Sequence, residues 1–224
     1  SNEEVHKEID KDWEYQKEQW EERGGVDHLF VEVDDSYVQF KKDAQKEVNY
    51  LVKEFECRKS ASAYARATTS KTGVLDTTKL QTYQFNEDLF KKVTVLPDGK
   101  NHGLVFILDW SGSMQYILQD TVKQLYSLIW FCRKVQIPFE VYAFTNDWER
   151  DESSLVKSER REGVLYVSDD FNLMNLFTSK TNAGTLEHQM INIWRIATAF
   201  RRATMYVYPR RLILSGTPLN EALV

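Results

Sequence analysis

The run GLVFILD, residues 103–109, constrains this chain more than any other stretch. Its apolar residues are continuous over strand length, the pattern of a strand covered on both faces in a sheet flanked by helices. The run closes on Asp109 and passes directly into Trp110, Ser111, Gly112, Ser113 and Met114. A carboxylate ending an apolar strand needs compensation, and two hydroxyls on alternate residues stand next to it. In open α/β sheets ligands bind beyond the carboxyl ends of the strands, which is where this stretch falls.

The surroundings extend the same pattern. Met114, Ile117, Leu118, Val122, Leu125, Ile129 and Cys132 mark one face of a long helix. IPFEVYAFT (137–145) reads as the next strand, so strand, helix and strand follow one another at the spacing of a βαβ unit. TNDWERDESSLVKSERREG reads as a charged loop and VLYVS (164–168) as a short strand. Leu186, Met190, Ile193, Ala197 and Phe200 form another helical face. RRLILSGTPLNEAL then reads as an extended piece, a turn and a new helix start.

Residues 1–60 differ in character, with 17 acidic against 10 basic residues. EIDKDWEYQKEQWEERGG predicts a peripheral helix stopped by Gly24 and Gly25, with Ile9, Trp13 and Trp20 on one side. DHLFVEVDD (27–35) reads as extended. Tyr37, Phe40, Ala44, Val48, Leu51 and Phe55 predict an amphipathic helix from about 36 to about 59. The organisation expected is an acidic helical region over 1–60, a linker or preceding segment over 61–102, and the α/β domain over 103–224.

Composition narrows the function classes. With 42% hydrophobic residues the chain has the material for a real core, and a net charge of −5 argues against a general nucleic-acid binder. No apolar run approaches the roughly 18 residues of a membrane span, and SNEEVHKEID has no signal-peptide character. The start without methionine suggests a trimmed chain or a tag remnant. A cytoplasmic protein that meets other proteins is expected. Cys57 and Cys132 sit in partly apolar helical patterns and are expected to be buried free thiols.

Three readings compete for residues 109–113. Ser111 or Ser113 could cap the following helix, which leaves Asp109 unexplained. A nucleophile elbow needs G-x-S-x-G with a later acid and histidine; here the glycine lies between the serines and His188 sits within a helical face. The third reading is a site for a hard divalent cation such as Mg²⁺, which takes oxygen ligands, few carboxylates and several waters. Asp109, Ser111 and Ser113 supply one carboxylate and two hydroxyls, and Gly112 is expected to let the loop turn tightly enough for them to converge. No H-E-x-x-H occurs, and TSKTG (69–73) lacks the first glycine of a phosphate loop. Trp110 and Trp148 could form an aromatic rim for a partner or pack between loop and helix. Arg201, Arg202, Arg210 and Arg211 could bind an acidic partner surface or be solvated or helix-terminal charges.

D-W-S-G-S resembles the metal-ion-dependent adhesion site of the von Willebrand factor A (VWA) domain. That motif continues with a threonine on a second loop, matched here by Thr217 in S-G-T-P-L, and an aspartate on a third, which is expected beyond Val224. GVLDTTKL (73–80) and AFTNDW (143–148) are similar to segments of the cobaltochelatase CobT subunit family, most of all to the CobT-like proteins of large tailed phages. The resemblance implies a VWA (Rossmann-like) doubly wound α/β sheet, C-terminally incomplete in this chain, with the acidic helical extension ahead of it. It implies Mg²⁺ held by Asp109, Ser111, Ser113 and Thr217. It also implies a non-catalytic subunit that docks an AAA+ ATPase of the MoxR/CobS type and, in cobalt insertion for cobalamin biosynthesis, a large chelatase subunit. An adaptor for AAA+-driven remodelling of a different phage or host assembly is the alternative.

Overall fold

The structure is a computed structural model that describes residues 1–25, 29–65, 68–82, 84–85, 89–95, 102–146, 171–217 and 222, with the backbone alone at 65, 68–72 and 93–95. Its main elements are α1 (Asn2–Glu22), α2 (Val31–Ala65), β1 (Thr68–Leu75), β2 (Phe90–Val95), β3 (Leu104–Asp109), α3 (Leu118–Lys134), β4 (Phe139–Asn146), β5 (Phe171–Thr178) and α4 (Ala183–Arg201). The fold is α/β, with two small sheets. The chain divides into two compact units, residues 1–49 with 102–224, and residues 50–101. The N-terminal helices therefore cluster with the α/β body, and α2 contributes to both units.

The first unit is built on a sheet of order β3-β4-β5. β3 and β4 are parallel, joined through α3, and Asp109 stands opposite Phe144. β5 is antiparallel to β4, with a register shift at Val141/Tyr142. No strand was expected at β5. Its sequence FNLMNLFT buries Met174, Leu176 and Phe177 while Leu173 stays exposed, so the period-2 alternation that betrays a strand is broken.

One face of this sheet is covered. Leu108, Ala143 and Met174 lie side by side on it and are all buried. The other face is open only in part among the described residues: Val105 is 64% and Ile107 44% exposed, whereas Phe144 at its carboxyl end is buried. The apolar run of β3 is thus not covered on both faces, contrary to the expectation from its continuity. α3 and α4 bury the faces that periodicity marks, including Leu118, Val122, Leu125, Ile129 and Cys132 on one and Leu186, Met190, Ile193 and Ala197 on the other. α3 begins at Leu118, because a 3-10 turn over Gly112–Met114 comes first.

α1 closes the outer edge of the sheet. Ile9 and Trp13 are buried, as their spacing predicts. Trp13 meets Phe30 and Tyr206 edge-on at centroid distances of 5.2 and 5.6 Å. At the other end of the helix, Asn2 Nδ2 and His6 Nε2 both donate to the Leu176 carbonyl, each at 2.7 Å. These contacts occupy backbone that an edge strand would otherwise leave unpaired. Gly24, with φ of 79°, follows the end of α1, and a Cβ on Gly25 would fall 2.1 Å from Trp20 Nε1. Both glycines of the expected stop are needed, for different reasons.

The segment 27–35 is not extended as far as it is described: α2 is already helical at Val31. Val33 belongs to the same buried stripe as Tyr37, Ala44 and Val48, so the helical period runs back past Ser36. The stripe is fastened by Arg195, which donates to both carboxylate oxygens of Asp34 at 2.8 and 2.6 Å, and by Phe40 stacked on Trp194 at 5.1 Å.

The second unit consists of the remainder of α2 and the antiparallel hairpin β1–β2. Strands thus occupy part of the stretch expected to be a linker. None of its residues with described side chains is buried, and Tyr50, Tyr64, Val74, Leu75, Leu80 and Phe85 are exposed. Cys57 is exposed too, which corrects the expectation of two buried thiols; Cys132 is buried, and burial raises its thiol pKa. Among the described residues no helix is long and apolar enough to cross a membrane. The expected strand at 164–168 lies outside the described residues.

Candidate metal centre

β3 delivers Asp109 to the carboxyl edge of the sheet, and the chain then turns sharply. Trp110 N donates to Phe144 O at 3.1 Å, so the strand pairing continues one step past Asp109. Ser111 follows in extended conformation, and the 3-10 turn Gly112–Met114 reverses the direction. The two serine hydroxyls meet, with Oγ to Oγ 3.0 Å. Neither acts as a helix cap: Ser111 precedes the 3-10 turn without a side-chain cap bond, and α3 starts from Ile117. The capping reading is thereby removed for both.

A second loop is tied to the first. Ser111 and Ser215 form an isolated parallel bridge. Gly112 N donates to Ser215 O at 2.8 Å, and Ser215 N donates to Trp110 O at 3.3 Å. Thr217 is exposed, two residues beyond this bridge. The fold thus carries the predicted second loop to the first, although about a hundred residues separate them in sequence.

Trp110 is wholly buried, so it does not form part of an exposed rim. Its indole Nε1 donates to Leu212 O at 2.8 Å, and its ring meets Phe200 edge-on at 6.2 Å. It pins the 210–215 segment to the end of β3. Trp148 lies outside the described residues. Gly112 is also not the tight-turn glycine expected: its φ is not positive, and a Cβ there would meet nothing closer than Ser215 O at 3.9 Å. The glycine that close packing demands is Gly216, where a Cβ would fall 2.4 Å from Asn146 Nδ2.

The polar atoms at this edge are unevenly satisfied. Asp109 Oδ1 is buried and accepts no hydrogen bond. The same is true of Asn146 Oδ1 at the end of β4, and Thr145 Oγ1 beside it is buried without a partner. A buried acceptor left alone costs on the order of 1–3 kcal/mol, so the Asp109 and Asn146 oxygens, on the same face of the sheet edge, call for a common explanation. Among the described residues no three His, Cys, Asp or Glu side chains converge. A metal at this edge would therefore be held by hydroxyls and one carboxylate, a donor set for a hard cation rather than zinc. Sequence reading missed Asn146, which the pairing of β4 with β3 brings to this edge.

Three of the four arginines form ion pairs within the chain. Arg201 reaches Asp120, Arg202 reaches Glu32 and Arg211 reaches Glu8, all at half-exposed to exposed ion pairs. His188 pairs with Asp10 at 2.7 Å across α1 and α4. No family model, no curated protein and no solved structure matches this chain.

Proposed function

We propose that the chain is a non-catalytic VWA-type binding subunit that holds Mg²⁺, or another hard divalent cation, through Asp109, Ser111, Ser113 and Thr217. The observation that carries this reading is the orphaned Asp109 Oδ1, buried at the end of β3 and followed within four residues by two hydroxyls already 3.0 Å apart. The bridge from Ser111 to Ser215 supports the inclusion of Thr217. A sheet of order β3-β4-β5, with the site-bearing strand parallel to its neighbour and an antiparallel strand outside, is compatible with a doubly wound VWA sheet. Val105 and Ile107 are then positions that such a sheet would bury.

The chain's own part in the chemistry is to bind and orient. Asp109 supplies the only carboxylate of the four, so the site is under-supplied with negative charge. A bound cation would offer an open position to an acidic side chain of another protein. The partner in this reading is a ring-forming AAA+ ATPase of the MoxR/CobS type, with a large chelatase subunit if the task is cobalt insertion. That choice rests on the resemblance of residues 73–80 and 143–148 alone.

The test is co-purification of the chain with an AAA+ ATPase of the MoxR/CobS type. Association is expected with Mg²⁺ present, and loss of it is expected with chelator or in Asp109→Ala. Unchanged co-purification in all three conditions would sink the docking role.

A further inference from the structure

Asn146 is the residue at the candidate metal centre that the reading above leaves without a task. The sheet register places it. Asp109 pairs with Phe144 across parallel strands, so the two share a face of the sheet. Asn146, two residues further along β4, returns to that face. It stands where the chain beyond Asp109 continues into Ser111. Thr145 falls between them in the alternation and points to the opposite face, so its own orphaned hydroxyl belongs elsewhere.

Two further observations bear on the side chain. Its amide Nδ2 lies close against Gly216, the residue before Thr217, with room for no Cβ there. The second loop is therefore seated directly on Asn146. Its Oδ1 is buried and has no hydrogen-bond partner.

Asp109 Oδ1 and Asn146 Oδ1 are both acceptors, and two acceptors cannot satisfy each other. A donor or a cation placed between them would satisfy both at once. A hard cation does so with the atoms already present, because it takes six or more oxygens and accepts amide carbonyls readily.

We propose that Asn146 Oδ1 is a further ligand of the cation site, supplied by β4 in addition to the two loops. This rests on the reading of the Asp109 edge as a cation site. The neutral amide adds an oxygen without adding charge, which keeps the site under-charged and open to an external carboxylate. Gly216 is then the residue that lets the Thr217 loop and the Asn146 amide approach the same position.

Terbium luminescence sensitised by Trp110, competed with Mg²⁺, reads the affinity in the full chain. Asn146→Ala is expected to weaken Mg²⁺ about tenfold or more. Asn146→Asp is expected to tighten it by a similar factor, because ligand charge sets affinity in such sites. The Asp variant keeps the side chain's size and decides the matter if the Ala variant does not fold. Wild-type binding with no change in Asn146→Asp overturns the role of Asn146 while leaving the Asp109 site standing. Absence of binding in the wild type overturns both.

Discussion

Trp110 joins the two halves of the candidate site. Its Nε1 bond to Leu212 O fixes the segment that leads to Thr217. Trp110→Phe keeps an aromatic ring but leaves that buried carbonyl without its donor. A loss of about 1–3 kcal/mol is expected in urea denaturation, with weaker cation binding as the second loop loosens. Gly216→Ala acts from the other side of the same loop. Its Cβ would collide with Asn146 Nδ2, so a drop in Mg²⁺ affinity is expected even where thermal unfolding shows a folded chain. An unchanged affinity in that variant would show that the Gly216–Asn146 contact lies outside the site. At this scale the legible residues were those whose meaning is local. Asp109, Ser111 and Ser113 share one loop at fixed spacing, and a strand ending in a carboxylate is visible without a structure. Asn146 was not legible, because strand pairing across 37 residues is not written in either strand. The burial of Trp110 was equally hidden, since a lone tryptophan in a loop has no periodic context.

Among the elements, α1 shows how much an amphipathic pattern tells and where it stops. Ile9 and Trp13 were readable from helical spacing. The contacts of Asn2 and His6 with the edge of β5 were not, because β5 itself lacked a strand signature. Trp13 packs against Phe30 and Tyr206, and Trp13→Ala is expected to cost about 3–5 kcal/mol, measured as a fall in the urea midpoint. His6 gives the α1 contact a pH dependence. Burial, its largest cause, holds the pKa down to about 4 from the ordinary 6.5; the Leu176 bond and Asp10 act in the opposite direction, and His188 adds to the lowering. The unfolded chain takes up a proton near pH 6.5, whereas the folded chain resists until about pH 4. Stability from this group is therefore complete above pH 6.5 and declines as the pH falls towards 4, by up to about 3 kcal/mol. Denaturation midpoints at pH 7.5 and 5 should differ more in the wild type than in His6→Gln. Equal differences would remove His6 as the cause.

For the molecule as a whole, the βαβ core around residues 103–145 was legible because its periods are long and clean. The division into units was not. The expected boundary at 60 fell within a helix that continues to Ala65, and the actual division comes after Asn49. Helical periodicity runs through that division unbroken, so sequence pattern could not reveal it. What distinguishes the second unit is burial: none of its residues with described side chains is buried. A hairpin and a helix end without a buried core have little to protect them. Hydrogen exchange is expected to be fast in β1 and β2 and slow in β4 and α4. Comparable protection in both units would contradict that difference. The same contrast places the candidate site on the well-buried unit, where Trp110 and Ser111 are almost wholly covered, and a site on rigid elements holds its ligands in geometry.

The central claim is that the edge defined by Asp109 binds a hard divalent cation. Calorimetric titration of the full chain with Mg²⁺ tests it most directly. A single saturable site in the wild type, lost in Asp109→Ala while circular dichroism shows the fold retained, is the predicted result. No binding up to millimolar Mg²⁺, or the same isotherm in both proteins, would contradict it.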